Sequence, residues 1–83
     1  MSGQAHARIL LTGDVHSADF PAWIDRHAHK LGLVRVTTER VEDGLQVRAS
    51  GAEEMLQALA LGVSLGPESV LVDTVTITTE ACV

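Results

Sequence analysis

Gly13-Asp14-Val15-His16-Ser17-Ala18-Asp19-Phe20-Pro21 joins an apolar strand to an amphipathic helix, and the reading of both neighbours fixes the start of the fold. Upstream, from Ala5 to Thr12, Ala7, Ile9 and Leu11 alternate with Arg8, Leu10 and Thr12. That is the period of a strand with one buried face, and the apolar Leu10 argues for a central position. Downstream, Asp19 is of the N-cap type, and Pro21 falls in the first turn, where a missing N–H costs little. The helix is expected to run to about Lys30. It carries Phe20, Trp23, Ile24, His27, Ala28 and Leu31 on one side and Asp25, Arg26, His29 and Lys30 mainly on the other. Leu31-Gly32-Leu33 ends it, with Gly32 suited to a left-handed cap.

Working outward, Val34 to Val41 and Leu45 to Ala49 are β-rich, and Glu42-Asp43-Gly44 between them is a hairpin signal. Ser50-Gly51-Ala52-Glu53 has the spacing of a capping box and opens a second helix, expected to end near Leu61-Gly62, with Met55, Leu56, Leu59 and Ala60 on one face. Gly66-Pro67 marks a turn before a last strand, Val70 to Thr78, rich in Val and Thr. Val70, Val72 and Thr74 form one face of it, and Leu71, Val75 and Ile77 stand out in the rest. The order is β-α-β-β-α-β. Two split βαβ units with right-handed crossovers make an α+β, ferredoxin-like sandwich: a four-stranded antiparallel sheet with two helices on one face. The second and fourth strands are then the edges. The Val70–Thr79 edge, poor in charge, is expected to pair with a second copy in a homodimer or with a partner segment.

The chain of 83 residues has room for one domain, 1–83, with Met1 to Gln4 a loose leading segment. Six basic residues against eleven acidic give a net charge of −5, which opposes nucleic acid and anionic membrane surfaces as partners. No apolar run approaches the roughly 20 residues of a spanning helix. Cys82 is the single cysteine, so there is no disulfide framework and no cysteine metal site, and a reducing cytoplasm is the expected compartment. Trp23 reads as core and Cys82 as a thiol without an assigned role. No cofactor is expected.

The loop lacks what a phosphate cradle needs, namely small residues with converging N–H groups and a fixed cation. It offers Asp14, Asp19 and Pro21 instead. A metal held by Asp14, His16, His27 and His29 is not expected. Helical residues two apart point to nearly opposite sides, so His27 and His29 cannot share an ion. His27 is expected at the core edge and His16 in solvent. Asp14 and Asp19 could pair for acid–base work, but read more simply as an exposed residue and an N-cap. Ser17 has no base beyond its neighbour His16, and Glu53-Glu54 is a charged helix start.

Taken together, these residues resemble the acylphosphatase family. Gly13, Val15 and Phe20 match its Gly-Arg-Val-Gln-Gly-Val-Gly-Phe-Arg loop, Leu31-Gly32-Leu33 its helix end, Asp43-Gly44 its hairpin and Gly66-Pro67 its turn. The resemblance runs from about Ile9 to Ile77 and implies hydrolysis of carboxyl-phosphate bonds. In that family the loop amides and the loop's last arginine hold the phosphate, and an asparagine on strand two orients the attacking water. Here Pro21 stands at the arginine position, Ser17 and Asp19 replace the inner glycines, and the asparagine position falls on Glu39 or Arg40. The chain contains no asparagine. Electrostatic clamping and water positioning supply most of phosphoryl-transfer catalysis. A non-catalytic acylphosphatase-like domain is therefore expected, with no catalytic residues. It would bind a small ligand or protein partner through Gly13, Asp14, Val15, His16, Ser17, Ala18, Asp19 and Arg40. The alternative is a divergent acylphosphatase in which Arg35 or Arg40 replaces the lost cation.

Overall fold

The computed structural model describes residues 4–81, so Cys82 and the leading Met1 to Gly3, expected to be loose, lie outside the described residues. Strand β1 (Gln4–Asp14) leads through the loop to helix α1 (Phe20–Lys30), then to the hairpin of β2 (Val34–Val41) and β3 (Gly44–Ala52). Helix α2 (Glu53–Leu65) and strand β4 (Leu71–Ala81) complete it. The sheet order is β2-β3-β1-β4 and every pairing is antiparallel. This is the ferredoxin-like βαββαβ arrangement, with β2 and β4 at the edges. Gln4 is not loose but opens β1, opposite Ala52 of β3.

Strict alternation builds the sheet's two faces. Ala5, Ala7, Ile9 and Leu11 of β1 and Leu45, Val47 and Ala49 of β3 are buried beneath the helices, and the residues between them face the open side. From α1 the core takes Phe20, Ile24 and Ala28, and from α2 Leu56, Leu59, Ala60 and Val63. Trp23 packs against this core half-buried, its ring 5.9 Å from Phe20.

The end of α1 is a Schellman cap. The Leu33 N–H donates to the Ala28 carbonyl and the Gly32 N–H to the His29 carbonyl, with Gly32 at φ 76°. Two other expectations give way. The capping box does not form, because β3 continues to Ala52 and Ser50 stays in the strand, its hydroxyl 2.6 Å from His6 Nδ1. Helix α2 does not stop at Gly62 but runs on to Leu65. Gly62 is where His27 of α1 lies against α2: a Cβ there would stand 2.3 Å from His27 Nε2. That glycine serves helix packing, and Gly66 at φ 60° is the cap.

Candidate functional site

The loop is held at both ends by backbone geometry. Gly13 sits at φ 121° where β1 kinks against β4, and a Cβ there would stand 2.5 Å from the Leu71 carbonyl oxygen. Only glycine meets both demands. The Val15 N–H then turns back to the Gly13 carbonyl at 3.0 Å, and the Val15 side chain is buried. Val15 is therefore an anchor of the loop: its side chain lies in the core and its amide is already engaged. A lone apolar residue in a loop has no periodicity to announce this.

Helix α1 starts differently from the sequence expectation. Asp19 occupies the N-cap position, but its side chain makes no capping hydrogen bond. Ser17 does that work, its carbonyl accepting from the Phe20 N–H at 3.2 Å and its hydroxyl from the Asp19 N–H at 3.4 Å. Pro21 sits in the first turn as expected. Asp14, His16, Ala18 and Asp19 are exposed, so two carboxylates face solvent around the loop.

Arg40 reaches this loop from the edge strand. Its Nη2 donates to the His16 carbonyl oxygen at 3.3 Å, and its Nη1 lies 3.4 Å from His16 Nδ1. Arg40 pairs with Leu45 and so shares the helix side of the sheet, whereas Glu39 pairs with Gln46 on the open side. Of the two residues that could stand at the family's asparagine position, Arg40 is the one that meets the loop. Arg35 lies elsewhere, across the open face.

The four histidines go to four different places. His6 meets Ser50, His16 meets Arg40, His29 Nδ1 lies 3.4 Å from Asp25 Oδ2, and His27 stacks on Trp23 at 5.3 Å and 11°. His27 is thus at the core edge, as expected. Among the described residues no three of His, Cys, Asp and Glu come together as a metal site, and no helix is long and apolar enough to cross a membrane.

A family model described as acylphosphatase matches residues 7–82. Among solved structures, an acylphosphatase from Coxiella burnetii superposes with TM-score 0.85 at 16% identity, over 95% of this chain and 83% of that one. An acylphosphatase from Bacillus subtilis does so with TM-score 0.84 at 24% identity, over 95% of this chain and 88% of that one. Full-length HypF in its phosphate- and nucleotide-bound form matches 99% of this chain with 11% of its own length, at 17% identity and TM-score 0.84. No curated protein sequence matches the chain significantly.

Proposed function

The chain belongs to the acylphosphatase family, and from that premise we propose that it is a non-catalytic member, a module that binds a small ligand or a protein partner at the Gly13–Asp19 loop and Arg40. The observation that carries this reading is the contact of Arg40 with His16. It brings to the loop a guanidinium from one of the two positions, Glu39 or Arg40, on which the family's water-orienting asparagine falls. A guanidinium only donates hydrogen bonds. It can donate to a water's oxygen but cannot accept the water's proton, so it cannot hold an attacking water by its O–H as an amide oxygen can. Pro21 meanwhile supplies neither charge nor N–H at the family's arginine position. Loss of a single transition-state donor costs about 10²–10³ in rate, and here both the clamp and the water acceptor are replaced.

The same contact favours a second reading, in which Arg40 acts as the missing phosphate clamp of a divergent acylphosphatase. One assay separates them. The purified protein is expected to hydrolyse acetyl phosphate and benzoyl phosphate no faster than buffer. A saturable rate that survives purification and disappears on Arg40→Ala would establish the divergent enzyme and overturn the binding module.

A further inference from the structure

On the open side of the sheet, away from the loop and both helices, lies a cavity of about 430 Å³. Its size falls within the range of small-molecule sites, about 300–1,000 Å³. Arg8, Arg35 and Arg48 line it, with the hydroxyls of Thr37, Ser50 and Thr78 and with His6 and Glu80. The protein carries a net charge of −5 and only six lysines and arginines, so half of its cations converge on this one depression.

The cations are placed at a cost. Arg8 and Arg48 are direct cross-strand partners in the β1–β3 pairing, where like charges destabilise a sheet. Arg35 is the one non-glycine residue with positive φ among the described residues, at 56°. It sits in a bulge: β2 takes three steps from Val34 to Thr37 while β3 takes two from Ser50 to Arg48. Val34 pairs with Ser50 on the open face, so strict alternation would send residue 35 to the helix side. The extra residue brings Arg35 to the open-face cavity instead. Among the described residues no carboxylate forms an ion pair with any of the three arginines.

From this convergence we propose that the open face binds a small, hydroxylated organic phosphate. The Arg8–Arg48 pair and Arg35 take the phosphate, since guanidinium forks match its oxygens in bidentate fashion. Thr37, Ser50 and Thr78 meet the hydroxyl groups, and Glu80 accepts from a donor at the far rim. No Phe, Tyr or Trp lines the cavity, and the His6 ring is turned to a hydrogen bond with Ser50, so the run of aromatic rings on which a single-stranded nucleic acid stacks successive bases is missing. The occupant is of the sugar-phosphate class. This site is separate from the loop and does not depend on whether the loop binds or hydrolyses anything.

Isothermal titration calorimetry at low salt tests it, with ribose 5-phosphate, inorganic phosphate, ribose and a single-stranded RNA ten-mer as probes. Ribose 5-phosphate is expected to bind one to one and more tightly than inorganic phosphate, with ribose silent. Arg8→Gln and Arg48→Gln should each weaken it at least tenfold, and Arg26→Gln, on the exposed side of α1, should leave it unchanged. Both glutamine variants relieve like-charge repulsion, so circular dichroism should show them folded. Arg35→Gly should weaken binding without lowering the melting temperature. Absence of saturable binding by ribose 5-phosphate, indifference to Arg8→Gln and Arg48→Gln, or loss on Arg40→Ala alone would overturn the assignment. Tighter binding of the RNA would do so as well.

Discussion

Arg35 holds a conformation that costs an L-residue about 1–2 kcal/mol, and removing its Cβ tests whether that strain is real. Arg35→Gly should raise stability by up to about 1 kcal/mol, the relief being partly offset by the unfolded-state entropy of glycine in a strand. Urea denaturation measures this, and a loss of more than about 1 kcal/mol would mean that the Arg35 side chain supports the fold. None of this was legible in Val34-Arg35-Val36, which reads as plain alternation. A bulge is a property of two strands in register, and one strand's pattern cannot display it. The same holds for β4. Val70 and Val72 lie inward, then the register shifts opposite Thr12 and Gly13, leaving Asp73 as the extra residue, and the inward set becomes Val75, Ile77 and Thr79. Arg40 at the loop was legible as a candidate, through the family's spacing alone.

Among the elements, the helix starts are the least legible in the sequence. Capping residues were recognised by type, but Ser50 is committed to β3 and His6, and Asp19 leaves its helix uncapped by a side chain. Helix α2 consequently takes as its N-cap Ala52, which has the extended φ −65° and ψ 133° of that position but no side-chain acceptor. Ala52→Ser supplies one in a backbone already shaped for it. It should stabilise the protein by about 1 kcal/mol, read as a higher urea midpoint with an unchanged slope. A neutral or destabilising result would show that the first-turn amides of α2 are satisfied without it. Element types and order were legible throughout, because the 2-residue and 3.6-residue periods are set by burial of one face. The end of α2 was not, since Gly62 looks like a stop until His27 is seen lying on it.

For the molecule as a whole, one sheet face is roofed by helices, while among the described residues the edges β2 and β4 have no further strand beside them. The two edges are unequal. β2 is eight residues long, broken by the bulge, and carries Arg35, Glu39 and Arg40. β4 is eleven residues long, with Asp73 at its own bulge and Glu80 near its end, and Val, Ile and Thr between them. Long edges with little charge invite further pairing. We expect β4 to pair with its own copy, antiparallel about a two-fold axis, because that operation closes after two chains and extends the sheet without leading to a fibre. The axis would pass near the strand's midpoint, Thr76, which is exposed on the open face opposite Leu10. Thr76→Lys then brings two ammonium groups together in the dimer while touching nothing in the core of the single chain. Sedimentation equilibrium should give a dimer for the wild type and a monomer for Thr76→Lys, with equal helix and strand content by circular dichroism. A wild type that is monomeric at every working concentration, or a dimer indifferent to the lysine, would exclude β4 as the interface.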